Sequence, residues 1–206
     1  LEESLLTNYT LGLELGDDLS FRLLSLDGDR RTLAHGRAWV QSPNPLPDDK
    51  GKTLPLEQKS VQTELGQAQR TIARRVSGSL RQTLTIDQYP GWKGAFILQW
   101  EFENLGDVPL QAQVMTAPQL DLGDGLSGER WILRGASVQW GQDFAFPLPA
   151  EFTSENYLGH CDGGEGGGIP LLYVWNRQHG LALAHIETYQ AQWHMPVSSG
   201  SQGVRL

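Results

Sequence analysis

Between Phe96 and Phe102 apolar and polar positions alternate almost without a break. Phe96, Leu98, Trp100 and Phe102 share one side, and Ile97, Gln99, Glu101 and Glu103 share the other. A period of two over this length predicts a half-buried antiparallel strand. A Tyr-Pro-Gly-Trp knuckle, Tyr89–Trp92, precedes it, and the Asn104-Leu105-Gly106-Asp107 corner follows it. Val108, Leu110, Ala112 and Val114 then resume the alternation, so the stretch is expected to form a hairpin with a short loop.

The same pattern predicts further strands. Leu19, Phe21 and Leu23 lead to a turn at Asp27-Gly28-Asp29, and Leu80, Leu84 and Ile86 mark another strand. Trp131, Leu133, Ala136, Val138 and Trp140 suggest a strand interrupted at Gly135, where a bulge or bend is expected. Ile169–Trp175 and Leu181–Ile186 are apolar on both sides, as in strands buried on both faces. Arg177-Gln178-His179-Gly180 supplies the turn between them. Ala191, Trp193, Met195 and Val197 close the series.

Two stretches break the pattern. Ser42–Pro55 is rich in proline and lacks periodicity, which reads as a surface loop. Val61, Leu65, Ala68, Ile72 and Val76 fall at helical spacing, but the segment is polar and contains Gly66. Irregular strand is the favoured reading. No internal repeat and no βαβ alternation is visible.

Composition agrees with a chain of many turns. Gly counts 24, Pro 11 and Trp 7, and 39% of the 206 residues are hydrophobic, enough for a sizeable core. That length admits one large all-β domain or two small ones. The abrupt ends suggest a single β-sandwich domain, residues 1–206, cut from a longer protein. The formal net charge of −8, with no basic stripe, argues against a nucleic-acid partner. No run approaches the ~20 apolar residues of a membrane-spanning helix, and no membrane partner is expected. Cys161 is the single cysteine, so no internal disulfide forms, which leans toward the cytoplasm.

The densest candidate chemistry lies in the glycine-rich run Tyr157–Pro170, which gathers His160, Cys161, Asp162 and Glu165. Glycine lets a ligand approach the backbone closely. Sugar contact, a metal site and a plain connection are all open readings, although the spacing matches no zinc or calcium pattern. Asp121–Glu129 lacks a calcium-loop spacing and reads as a turn cluster. His185 and Glu187, two apart, share one side of a strand and could serve as acid and base on a sugar. Trp100, Trp131 and Trp175 are expected in the core. Trp92, Trp140 and Trp193 sit near strand ends and are the better candidates for stacking on sugar C–H faces.

The runs "YPGWKGAFILQWEFENLGDVPLQAQVMTAPQLDL" and "GGGIPLLYVWNRQHGLALAHIETYQAQW" together resemble the N-terminal β-supersandwich of bacterial family 36 glycoside hydrolases, the α-galactosidase group. The likeness covers roughly residues 82–197. It implies an all-β, two-sheet antiparallel supersandwich of the galactose-mutarotase-like type. It also implies a neighbouring (β/α)₈ barrel of the same parent chain that hydrolyses α-galactosides with retention. The family's catalytic aspartates belong to that barrel, which needs about 250 residues of its own, so no catalytic residue, cofactor or metal is assigned here. The resemblance places a loop of the sandwich at the rim of the sugar pocket. The matching loop holds His160, Asp162 and Glu165, acidic where the family carries arginine and serine. Expected substrate-binding residues are therefore His160, Asp162, Glu165, Trp140 and Trp193. A standalone carbohydrate-binding module and an aldose epimerase using His185 and Glu187 are the alternatives, and assembly into a homo-oligomer stays open.

Overall fold

The computed structural model describes residues 4–41, 51–110, 114–136, 145–154, 157–159, 168–186 and 192–206. Strands dominate and their pairings are antiparallel, with no α-helix among the described residues. The protein is an all-β sandwich. It resolves into two compact units: Leu1–Arg30 with His35–Gln119, and Arg31–Ala34 with Leu120–Leu206.

In the first unit β1 (Ser4–Asn8), β2 (Leu11–Leu15), β3 (Phe21–Ser25) and β4 (Arg31–Gln41, entering at His35) lie in that order in one sheet. The other sheet has β5 (Lys52–Thr53) and β6 (Glu57–Thr63) side by side along one edge of β7 (Gly66–Ser77), followed by β8 (Leu80–Gln88) and β9 (Ile97–Asn104). Pro55 separates β5 from β6, as expected for a residue with no N–H to give to a ladder. The segment with apolar residues at helical spacing is thus two paired strands, turned at Gly66 with φ +111°. Cross-strand pairing decides its structure where local spacing was ambiguous.

The inner faces follow from register. Ala73, Leu84 and Trp100 form one cross-strand row, and Thr71, Ile86 and Leu98 the next. Leu84, Ile86 and Ala73 are fully buried. From the opposite sheet come Leu6, Leu13, Leu15, Phe21 and Leu23. The Phe21 and Trp100 rings meet across the sandwich at 5.9 Å. Gly36 leaves room for this: a Cβ there would come within 2.6 Å of the Phe21 ring.

The face of the second sheet opposite this core is laced with charge. Arg70 forks onto Asp87 through Nε–Oδ1 at 2.7 Å and Nη2–Oδ2 at 2.6 Å. Arg74 reaches Glu57 at 3.0 Å, Lys59 reaches Glu57 at 3.1 Å, and Arg81 pairs with Glu103. Hydrogen bonds from Arg74 and Lys59 hold the Glu57 carboxyl below its ordinary range.

β10 (Val114–Leu122) enters the second unit at Leu120. It continues with β11 (Trp131–Ala136), β12 (Ala145–Pro147), β13 (Phe152–Ser154), β14 (Tyr157–Gly159), β15 (Gly168–Trp175), β16 (Gly180–Ala184), β17 (Gln192–His194), β18 (Val197–Gly200) and β19 (Gly203–Arg205). One sheet runs β10-β19-β18-β13, another β12-β11-β15-β16, and β14 pairs with β17 as a ribbon. Leu120, Leu126, Ile132, Leu172, Val174 and Val197 form the fully buried core of this unit. The register of β11 on β15 shifts between Arg134 and Ala136, so the irregularity expected at Gly135 is present. Arg134 lies over the Phe146 and Phe152 rings, 5.3 and 5.8 Å from their centroids, and donates to Ser154 Oγ at 2.9 Å.

The hairpin expected after Asn104 needs correction. No hairpin forms there: β9 is the last strand of the β5-β7-β8-β9 order, the next strand, β10 from Val114, lies beside β4 in a different sheet, and Val108–Leu110 are irregular and exposed. Pro109 removes one ladder donor. The Asn104 side chain donates to Val108 O at 2.8 Å and accepts from Gly106 N at 3.0 Å, widening the corner into a stapled loop.

Candidate functional site

The β12-β11-β15-β16 sheet shows how alternation builds two unlike faces from apolar sequence. Phe146, Ile132, Val174 and Leu181 stand in one cross-strand row. Ile132 and Val174 are fully buried there. One residue along, the row is Pro147, Trp131, Trp175 and Gly180. Successive side chains of a strand point to opposite faces, so this second row turns away from the core. Leu133, Tyr173 and Ala182 share that outward face two residues further on. Trp131 is 44% exposed, and Trp175 and Tyr173 are half-buried.

The three aromatic rings form one surface. Trp131 and Trp175 lie 6.3 Å apart, centroid to centroid, with planes 24° apart; Tyr173 and Trp175 are 4.8 Å and 16° apart. Gly180 fixes how they lie. A Cβ built there would come within 2.8 Å of Cε2 and Cζ of Tyr173. The Tyr173 ring therefore occupies the space above the Gly180 backbone and lies across the sheet, an aromatic covering a cross-strand glycine. Trp175 stacks nearly parallel against the Tyr173 ring, and Trp131, on the neighbouring strand, is slightly more tilted to Trp175.

The end of this surface carries charge and a rigid turn. Glu129 and Arg177 lie two residues beyond the paired Trp131 and Trp175, and they pair loosely at 3.8 Å with side chains 88% and 92% exposed. The turn after β15 is held by Asn176. Its Oδ1 accepts from the Gln178 and His179 N–H groups at 2.9 and 2.8 Å, and its Nδ2 donates to Gly125 O and Ser127 O at 3.0 and 3.1 Å. The expected Arg-Gln-His-Gly turn is present, and Asn176 ties it to the 3-10 turn Asp124–Leu126.

No family model matches the chain, and no curated protein matches its sequence.

A second aromatic cluster lies in the first unit at the Tyr-Pro-Gly-Trp knuckle. Tyr89 is buried and shares a 2.9 Å hydrogen bond with Thr63 Oγ1, whereas Trp92 is exposed, its ring 4.9 Å from that of Tyr89. Buried Asn8 holds the knuckle by donating to Trp92 O at 2.9 Å and Ala95 O at 2.7 Å. Lys93 Nζ sits 4.9 Å from the centroid of the exposed Tyr9 ring. Tyr9 takes a left-handed φ of +56°, which is uncommon for a bulky residue.

His160, Asp162, Glu165 and Trp140 lie outside the described residues, as does Glu187. Trp193 lies on β17, paired with Leu158 of β14. His185 is half-buried just past the end of β16. Among the described residues no group of three or more His, Cys, Asp or Glu side chains is placed to hold a metal ion. The expectation that Trp131 belongs to the core is corrected. Its strand partner Trp175 is half-buried on the same outward face, and their strands are buried on one side only. Tyr173 was not singled out from the sequence. The charged Glu129 and Arg177, each two residues outside a tryptophan, were the available hint that this side faces solvent.

Proposed function

We propose that this chain is a non-catalytic β-sandwich domain of an α-galactosidase-like glycoside hydrolase. In this reading a (β/α)₈ domain of the same parent chain performs the hydrolysis. Its carboxylate pair would stand about 5–5.5 Å apart, the separation of a retaining mechanism. The sandwich has a mechanical part: it covers one flank of the barrel and shapes one side of the sugar pocket.

The observation that carries the reading is the stapled corner after β9. Leu105 N donates to Ser79 O at 2.6 Å, and the Asn104 side chain bridges Gly106 N and Val108 O. This rigid frame presents Leu105 at 46% and Val108 at 76% exposure. Apolar side chains held out on a braced corner fit a surface that another domain covers. A second reading, a freestanding sugar-binding module, is favoured by the aromatic surface around Trp175. The epimerase reading draws on Glu187, which lies outside the described residues.

The test is to express the complete reading frame that encodes this chain beside the 206-residue chain itself. Both are assayed on a chromogenic α-galactoside. Turnover by the complete protein alone is the expected result. Turnover by the chain alone, or by neither, overturns the proposal.

A further inference from the structure

We propose that Trp131, Trp175 and Tyr173, with Gly180 beneath them, form a stacking platform for a neutral oligosaccharide. The proposal rests on the carbohydrate-associated reading above but needs no catalytic partner.

The physical case begins with what such a surface attracts. A pyranose ring has a face of C–H groups and a rim of hydroxyls. The C–H face loses little by leaving water for an aromatic π-face, whose partial negative charge complements the C–H hydrogens. Tyr173 and Trp175, nearly parallel at 4.8 Å, are offset-stacked and each covers part of the other's face; with the exposed Trp131 ring 6.3 Å from Trp175 they leave a stepped aromatic surface longer than one side chain. It therefore suits consecutive sugar units better than a single monosaccharide. Hydroxyls along the rim need donors and acceptors. The exposed Glu129 carboxylate and Arg177 guanidinium offer both at one end of the strip.

Preorganisation is built in. Tyr173 cannot swing down onto β16, because the Gly180 backbone already supports it. Trp175 is held by ring contacts with both Trp131 and Tyr173. A ligand therefore meets rings whose freedom has been spent in folding rather than in binding.

Other occupants fit less well. Nucleic-acid bases also stack on aromatic rows, but they arrive with phosphates, and a chain of formal charge −8 repels them. The same charge disfavours an anionic lipid surface. A protein partner needs about 800 Å² on each side of a stable interface. Aromatic side chains offer roughly 150–250 Å² each when wholly buried, and these three are already partly covered. The bare strip falls well short, while it is of the right order for a short sugar chain.

The experiment is a titration of the 206-residue chain with α-1,6-linked galacto-oligosaccharides, followed by tryptophan fluorescence and calorimetry. Cello- and manno-oligosaccharides and a single-stranded DNA oligomer run in parallel. Saturable binding to at least one neutral oligosaccharide is expected, with none to DNA. Trp131→Ala should weaken it at least tenfold, and Gly180→Val, which displaces the Tyr173 ring, several-fold. Trp131 is 44% exposed, so its variant should keep the parent's far-ultraviolet spectrum and still unfold cooperatively, with only a small drop in melting temperature. Arg177→Ala, at the rim, should weaken binding by a smaller factor. Absence of saturable binding to every oligosaccharide overturns the proposal, as does binding that Trp131→Ala and Gly180→Val leave unchanged. Binding with no hydrolase activity in the complete protein would keep the platform and remove the catalytic partner. Hydrolase activity without binding here would do the reverse.

Discussion

The two units each turn one sheet face away from a closed core, and those faces are unlike. Opposite Leu84 and Ile86 the first unit sets Arg70 on Asp87, Arg74 on Glu57 and Arg81 on Glu103. Opposite Ile132 and Val174 the second sets Trp131, Trp175 and Tyr173. The first face satisfies itself: its charges pair across neighbouring strands, and water meets a polar lattice. The second leaves apolar rings half-covered. Similar antiparallel ladders underlie both, so the difference comes from side-chain chemistry on one phase of the alternation. A self-satisfied face keeps a sheet soluble, whereas a face left apolar retains free energy to be gained by covering it.

That contrast can be strained most severely at the cores behind the faces. Leu84→Ala and Ile132→Ala should each cost about 3 kcal/mol, since both remove a fully buried side chain and leave a cavity. Chemical denaturation should show similar losses, because the cores are equally closed although the outer faces differ. A loss under about 1 kcal/mol at Ile132 would mean that its face is not the interior one.

A smaller effect separates the faces themselves. Arg70→Leu strands Asp87, whose side chain is only 9% exposed, and should cost about 2 kcal/mol, because an uncompensated buried charge is expensive. Trp131→Ala should cost less, about 1 kcal/mol, since much of its ring already meets water. If Trp131→Ala proves the more damaging, the aromatic row is structural and the comparison collapses.

The smallest effect is electrostatic. Arg74 and Lys59 depress the Glu57 carboxyl. A carboxylate depressed in the folded state adds stability that is fully present above its unfolded pKa. That contribution disappears as pH falls through the lower folded value. The Glu57 carboxyl resonance should titrate below the ordinary glutamate range, and Arg74→Gln should move its midpoint upward. An unmoved midpoint would show that the pair is not formed in solution.

Much of the strand pattern was legible because period-two alternation is written directly into β8 and β9, where Leu84, Ile86, Leu98 and Trp100 all face inward. The Gly135 irregularity and the turn after Trp175 were legible for a similar reason, as glycine and Asn-Arg-Gln-His chemistry acts locally. Val108–Leu110 was misread because alternation alone does not register the donor missing at Pro109 or the reach of Asn104 to Val108 O. The aromatic face was hidden by an ambiguity of phase. Trp-Ile-Leu in β11 and Tyr-Val-Trp in β15 are apolar in both phases, so periodicity cannot say which phase is buried. Only cross-strand register does so, by aligning Trp131 with Trp175 and Gly180 and setting Ile132 against Val174 and Leu181.

The most direct measurement is oxidative footprinting of tryptophan with and without a bound neutral oligosaccharide, read residue by residue by mass spectrometry. Trp92, exposed in the first unit, serves as the internal reference. The account predicts that Trp131 is readily modified in the free chain, and that the sugar protects Trp131 and Trp175 while Trp92 stays reactive. A Trp131 inert in the free chain, or sugar protection at Trp92 in place of Trp131, would contradict it.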